Sequence, residues 1–402
     1  MKQNYDIIIV GAGMAGLACA QKCSESNQDF LLIEKSDRIG GRVGSLKNDG
    51  FIFDIGFQVY NTAYEITNKL LRNKLDDFSP FLPGAKIISG KNSTIISDPM
   101  RNFSKVFHTI FSSAGSFKDK IKILTLKYQL SNYSIDFDKN VDMSTVDFLK
   151  QYGFSDKIIN NFFHPFFSGI FLEDKLDTSS KFFKYVFSNF NKGLAVIPKD
   201  GMQEIPDKIF SNACPDFLPN REVIKILPKN NLQLNNGDII SFKKLVLTNE
   251  SCGLVNQYDI KYNSVTTVYV STELSFRDSR YIHLFPQDEL INNVAFVSSV
   301  SPGYAPLNKT LISISIIVKG QQVELEQTIK QKMSAYFGGV SSDYTIEKIM
   351  KTKKATINQP SGFFQPKTTA VDSIILAGDH VTNASIEGAV ISGIKAYERT
   401  VK

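Results

Sequence analysis

The chain has 402 residues, enough for two or three domains with large cores. Hydrophobic residues make up 42% and charged residues 21%, and the net charge of +6 is scattered, which gives none of the basic stripe that nucleic-acid binding needs. No apolar run reaches the roughly 18 residues of a bilayer span, the first strand starts too early for a secretory signal, and Cys19, Cys23, Cys214 and Cys252 offer neither metal-ligand spacing nor a disulfide framework.

A reduced, cytoplasmic setting is therefore expected, compatible with weak attraction to an anionic membrane surface. The composition has one unusual feature, 31 Phe and 15 Tyr with no Trp. The Phe gather in "NNFFHPFFSGIF" (160–171) and "SSKFFKYVFSNF" (179–190). Two readings stand: core packing, or an apolar substrate tunnel lined by rings.

In chain order, "YDIIIV" is a continuous β-branched run, read as a strand buried on both faces of a parallel sheet. Gly11, Gly13 and Gly16 follow at GxGxxG spacing, and a slim helix with Ala15, Ala18 and Ala20 comes next. The first glycine permits the turn, the second admits a pyrophosphate, and the third lets helix and sheet pack closely. The helix start offers amides and partial positive charge to phosphates. A second strand, "DFLLIEK", ends at Glu34, 18 residues past Gly16, where an acid accepts from an adenosine ribose and disfavours a 2′-phosphate. Dinucleotide binding is expected, and NADP is not.

"SDRIGGRVGS" (36–45) follows at once. Its Gly40, Gly41 and Arg42 can close on a diphosphate from the other side, a second clamp that an NAD dehydrogenase does not usually need. This stretch resembles the GG-R motif of the flavin-dependent amine oxidase, phytoene desaturase and protoporphyrinogen oxidase superfamily. The resemblance implies non-covalent FAD, with Arg42 facing phosphate. It places Met14, Ala15, Lys35 and Val43 with the glycines and Glu34 around the cofactor. It also puts Gly56, Phe57 and Gln58 of "DGFIFDIGFQVYN" (49–61) beneath the flavin, with Gln58, Tyr60 and Asn61 directed to the active site.

Further along, "FFHPFFSGIFLEDKLDTSS" resembles the PFxxG segment of the helical substrate domain, and "VIPKDGMQEIPDKIF" (196–210) resembles the P-x-G-M return to the FAD domain. "NREVIKI" reads as a strand whose Val223 places backbone near the adenine, and a hairpin through Asn236-Gly237 leads to the strand "KKLVLTNE". β-rich runs over 262–318 suggest an antiparallel sheet. "QVELEQTIKQKMSAYFGG" (322–339) is a helix closed by Gly338-Gly339. "SIILAGDHVTNASIEGAVISGIKAYERTVK" gives a last strand (373–377), then Gly378-Asp379, then a helix capped by Ser385. This stretch resembles the GD…EGA…SG motif that closes the flavin site. Asp379 would hold the ribityl or diphosphate, Ile386 and the amides around Glu387, Gly388 and Ala389 would face the ring, and Gly388 and Gly393 would leave it space. His380 receives no role.

The expected fold is α/β: a Rossmann-like FAD-binding domain with a parallel sheet (1–75, 195–252, 350–402) and an inserted α+β substrate domain (76–194, 253–349), the two-domain amine-oxidase architecture. The expected function is FAD-dependent hydride abstraction from a C–H bond of an apolar or amine substrate, with oxygen or quinone recycling the flavin. A lysine holding water at N5 is common in such oxidases, but neither Lys353 nor Lys354 can be placed from sequence, and Phe363 and Phe364 are candidates for the pocket wall. Rival classes are a redox-neutral flavin-dependent isomerase or mutase, a binding protein that keeps the fold without catalysis, and an NAD-dependent dehydrogenase.

Overall fold

The computed structural model describes residues 2–90, 92–97, 115–255, 260–277, 279–317 and 324–402. Two sheets organise it. The first has eight strands. Its parallel centre runs Asp216–Leu218, Phe30–Ile33, Asn4–Val10, Ile239–Thr248 and Ile374–Ala377, so the two ends of the chain flank the strand at 239–248. Ile8, Ile9 and Leu32 are fully buried, as strands covered on both faces require. The Asn236-Gly237 hairpin is present, with Gly237 at a φ of 89°.

On one side of this sheet lie the first helix, Met14–Glu25, and the last, Ile386–Thr400. They pack closely because Gly393 carries no side chain: a Cβ there would stand 2.0 Å from the Ala15 carbonyl oxygen. Glu204–Ala213 packs on the first helix beside them.

The second sheet has seven strands in the order Thr345–Ile357, Tyr262–Thr272, Thr310–Ile316, Asn293–Ala295, Ile282–Leu284, Gly84–Ser89 and Asn92–Ser97. It is antiparallel apart from the parallel pairing of Ile282–Leu284 with residues 85–87. Its first strand carries residues 350–357, which the sequence reading had grouped with the nucleotide-binding part; long pairing with Tyr262–Thr272 keeps them in this sheet. The stretch 98–114 and residues 256–259 lie outside the described residues. So do 318 and 322–323 at the edges of the strand and helix expected there, the helix being seen as Leu325–Phe337.

Helices Phe117–Gln129, Thr145–Gln151, His164–Phe171 and Ser180–Lys192 form an aromatic layer against this sheet. Phe163, Phe167, Phe171 and Phe183 interlock there, with ring centroids 4.6 Å apart for Phe167 and Phe183. Strand Phe51–Asp54 joins the two regions. Its Asp54 is buried and accepts from the Ser45 hydroxyl at 2.5 Å, the Met202 amide at 3.0 Å and the Tyr304 hydroxyl at 2.9 Å. Burial pushes its carboxyl up to about 6, against the pull of those donors.

Candidate active site

At the end of the first strand, three glycines serve three purposes. Gly11 turns at a φ of 101°, where a Cβ would stand 2.2 Å from Thr248 Oγ1. A Cβ on Gly16 would stand 1.9 Å from the Gly11 carbonyl oxygen, so this glycine serves helix–strand packing and not the cavity wall. Gly13 differs: its Cβ would meet nothing nearer than Gly41 Cα at 4.0 Å, and its missing side chain opens into the cavity.

Glu34 closes the second strand. Its carboxylate accepts from the Ala12 amide at 2.7 Å and from the Ser36 amide and hydroxyl at 3.0 and 2.9 Å. Oε2, with the Ala12 amide as its one donor, keeps acceptor capacity toward the cavity that Glu34 lines. The Gly40 amide donates to the Ala12 carbonyl at 2.8 Å, tying the second loop to the first turn. Arg38, absent from the sequence reading, fixes that loop: its guanidinium donates to the carbonyls of Ile39, Gly41 and Val43 and to Gln203 Oε1. Its only sequence signal is a second arginine four residues before Arg42.

Arg42 Nη2 lies 2.6 Å from Asp379 Oδ1, so the second loop and the last strand's turn meet in an ion pair. Asn249 Nδ2 donates to the same carboxylate oxygen at 3.1 Å, and the Arg42 guanidinium stands 5.7 Å from the Tyr262 ring centre. Asn249 also escaped the sequence reading, since nothing but its place after a buried strand marks it.

The C-terminal motif folds partly as expected. Ser385 caps the helix, its Oγ accepting from the Gly388 amide at 2.9 Å, and the Ala389 amide donates to the Ser385 carbonyl at 3.0 Å. These two amides are therefore spent inside the helix and do not face a ring. Gly388 has its own constraint, because a Cβ there would stand 2.3 Å from the Asn383 carbonyl oxygen. With Gly393 packed on Ala15, neither glycine leaves space for a ligand. Glu387 is turned away: its carboxylate accepts from the amides of Ile66 and Thr67 and from the Thr67 hydroxyl, serving the start of helix Glu65–Leu70. Gly378, at a φ of 135°, stands behind Asp379, its amide donating to Ser392 Oγ at 2.5 Å.

A single cavity of about 870 Å³ connects these parts, within the range of small-molecule and cofactor sites. Apart from Gly16, Gly378, Glu387 and Gly388, every residue expected around the cofactor lines it, including Met14, Ala15, Lys35, Val43, Val223, Ile386 and Ala389. Gly56 and Phe57 form part of its wall. Gln58 joins them there, its amide donating to the carbonyls of Arg42 and Ile55 at 2.7 Å, while its Oε1 is buried with no hydrogen-bond partner.

The rest of the cavity's lining makes a chamber. Phe166 and Ile170 come from helix His164–Phe171, and Phe182 and Val186 from Ser180–Lys192. Val265, Ile282 and Leu284 come from the second sheet. The polar wall is neutral: Asn61, Asn189, Asn293 and Ser315. Among the described residues, the two helices and strands Tyr262–Thr272, Ile282–Leu284, Asn293–Ala295 and Thr310–Ile316 bring no charged side chain to it. Burial raises Tyr64 well above the usual phenol range and Tyr262 to about 12, so both phenols stay neutral.

The Phe-rich segments thus divide between both readings, with Phe163, Phe167 and Phe183 in the core, Phe166 on the wall, and Phe182 in the core with an edge on the wall. Several expectations fail here for packing reasons. Tyr60 is wholly buried, its hydroxyl donating to Asn68 Oδ1 at 2.6 Å. Phe363 and Phe364 stay off the wall: Phe363 lies under the Lys367 ammonium, 3.2 Å from the ring centre, and Phe364 packs on the aromatic layer. Lys354 does line the cavity, but it is 55% exposed and pairs with Glu250 at 3.2 Å, across from Lys35 on the same carboxylate. His380 and all four cysteines lie off the wall.

Residues 14–399 match the family model for flavin containing amine oxidoreductases, so the chain belongs to that family, and FAD is its cofactor. Among curated relatives, a 4,4′-diapophytoene desaturase of Staphylococcus haemolyticus is 28% identical over 31% of this chain and 25% of its own. An L-amino acid oxidase of Cerastes cerastes is 28% identical over 37% and 31% respectively. Both matches span less than a third of the relative's length. An oxidoreductase from Methanosarcina mazei shares the fold, with a TM-score of 0.75 and 17% identity over 98% of this chain and 100% of that one.

Proposed function

We propose that the protein is an FAD-dependent oxidoreductase acting on a C–H bond of a largely apolar, uncharged small molecule. The observation that carries this reading is the continuity of one cavity, from the cradle of Gly11, Gly13, Glu34 and Gly41 into a chamber whose helices and second-sheet strands bring aromatic rings and, among the described residues, no charge. The residues present fit the cofactor: an open face at Gly13, an acceptor at Glu34, a cation at Arg42 and an unpaired acceptor at Gln58 Oε1. We place the adenylate end at Glu34 and Val223, the diphosphate at Gly13 and Arg42, and the ring end toward Phe57, Gln58 and Ile386. The hold is non-covalent, because no cysteine or His380 reaches the wall.

When bound, FAD supplies a hydride acceptor at N5. The chain's own part is to bind, orient and dry the substrate. Phe57, Phe166 and Phe182 exclude water, and Asn61, Asn189 and Asn293 offer neutral hydrogen bonds that set its direction. A cationic amine or a carboxylate would enter without a counter-charge, at a large desolvation cost, so an amine reacts only in its neutral form. Among the described residues, the helices and second-sheet strands of the chamber bring it no acid or base with a proton to move. The two sheets act as interleaved cofactor and substrate domains, and oxygen or a quinone recycles the flavin.

The test is anaerobic bleaching of the yellow protein with polyenes, porphyrinogens and amines in turn. Loss of the oxidised flavin band with an uncharged apolar compound is expected. Bleaching by amino acids or polyamines alone would reject the substrate class. Turnover of an apolar compound that needs only catalytic reductant would move the protein to the redox-neutral class.

A further inference from the structure

Helix Phe117–Gln129 carries a face that nothing in the proposed reaction uses. Phe117, Ile121, Leu124 and Tyr128 fall at i, i+4, i+7 and i+11, one stripe along thirteen residues. They are 63, 49, 43 and 83% exposed, although isolated apolar side chains and not aligned ones are the rule on a protein surface. Phe137, 84% exposed, extends the patch where it meets Gln129 and Leu130 in a shallow cleft.

On the helix itself the charge around the stripe has one sign. Lys118, Lys120, Lys122 and Lys127 flank it, with Lys122 reaching the Gly153 carbonyl. The helix's single acid, Asp119, is turned inward. It is buried, accepts from the Ser116 amide at 2.8 Å and hydroxyl at 2.6 Å, and accepts from the Ser155 amide at 2.9 Å. The outward face is therefore apolar with a basic border, the pattern of a helix lying in a membrane interface.

We propose that helix Phe117–Gln129 docks this protein on an anionic lipid surface. Lipid suits the face better than a second copy, because five part-exposed side chains fall short of the ~800 Å² per partner that a stable dimer buries. The lysine border matches anionic headgroups. The position also has a use. The inner face of the helix contributes Leu126, and with Leu130 it packs into the aromatic layer; the Asn191 amide donates to the Lys127 carbonyl at 3.1 Å. Asn191 belongs to Ser180–Lys192, whose Phe182 and Val186 line the chamber. Two helix layers, Phe117–Gln129 and Ser180–Lys192, lie between the lipid-facing stripe and the chamber. Delivery of an apolar substrate from lipid rests on the function proposed above; the docking itself does not.

Flotation with vesicles tests it. The holoprotein is expected to float with vesicles of equal parts phosphatidylcholine and phosphatidylglycerol at least about tenfold more than with phosphatidylcholine alone, and less at high salt. The variant Phe117→Ser/Ile121→Ser/Leu124→Ser/Tyr128→Ser should lose flotation while keeping flavin content and thermal midpoint, since the changed side chains point outward. Lys118→Glu should weaken flotation without abolishing it. No flotation of the wild type, equal flotation of the quadruple variant, or a dimer that the quadruple variant dissociates would each overturn the proposal. Detergent-dispersed substrate separates the two readings: if it bleaches neither wild type nor variant, the substrate class fails while the docking result stands.

Discussion

The proposed nucleotide end of the cavity and its inner chamber are built by different means. The nucleotide end is made of backbone: Gly11, Gly13 and Gly40 place amides and open space, and Glu34 and Arg38 hold that backbone in position. The chamber is made of side chains from two helices and a sheet, with Phe166, Phe182, Val265 and Asn293 separated by long stretches of sequence. Backbone constraint restricts residue type sharply at each position. A side-chain wall tolerates any set that fills the same volume. One end should therefore break at a single atom, and the other should erode.

The largest effect tests the division inside the aromatic layer. Phe183 is wholly buried and packs 4.6 Å from Phe167. Phe183→Ala should cost about 3–5 kcal/mol of stability in chemical denaturation, as a large core truncation does. Phe166→Ala, on the wall, should cost about 1 kcal/mol and show itself in a raised KM for apolar substrate. Equal losses would mean that the wall is core and the chamber is not a substrate site.

Gly13→Val comes next. At a φ of −75° the backbone accepts a side chain, and the added carbons enter the cavity. Flavin affinity should fall about 100-fold or more, near 3 kcal/mol, with the fold intact by circular dichroism. A yellow Gly13→Val protein would sink the cofactor placement.

Asp54, buried where Ser45, Met202 and Tyr304 meet, gives a pH signature. Its folded pKa, about 6, stands above its ordinary value near 4, so the folded state binds the proton more tightly. Its contribution is fully present below about pH 4 and declines as pH rises to about 6, by roughly 2 kcal/mol. His380 works in the opposite direction: burial lowers it to about 4, so its contribution is lost as pH falls below its ordinary 6.5. The two slopes offset one another in the wild type. Asp54→Asn should uncover the histidine's slope, with thermal midpoints falling between pH 6 and 4 more steeply than in the wild type. Parallel curves for the two proteins would refute the assignment.

This contrast also explains what could be read from sequence. Gly11, Gly13, Gly16 and Arg42 were visible because each has a steric or charge requirement at fixed spacing. The meeting of the chain's ends, Arg42 with Asp379, followed from matching two such motifs. Side-chain direction in the last helix was not visible: Glu387 and Gly388 sit in a recognisable motif, yet one caps another helix and the other makes room for Asn383. Arg38 and Asn249 act through carbonyls and a carboxylate supplied by residues distant in sequence or in turns, and no periodicity marks them. The split of the Phe between core and wall depends on which face of a helix meets the cavity, which requires knowing where the second sheet lies.

The smallest expected effect concerns Lys354, the lysine nearest to a catalytic role by position in the chain. An N5-water lysine should be buried and aimed at the chamber. Lys354 is 55% exposed at the rim and shares Glu250 with Lys35. An exposed pair of this kind contributes about 0–1 kcal/mol. Lys354→Met should therefore shift the thermal midpoint by a degree or two at most, and should leave the rate of flavin reduction by substrate within about twofold, well under 1 kcal/mol in barrier. A fall of about 100-fold in that rate, with substrate affinity unchanged, would show that the rim folds inward during turnover, and the division between a charged rim and an uncharged chamber would have to be redrawn around this residue.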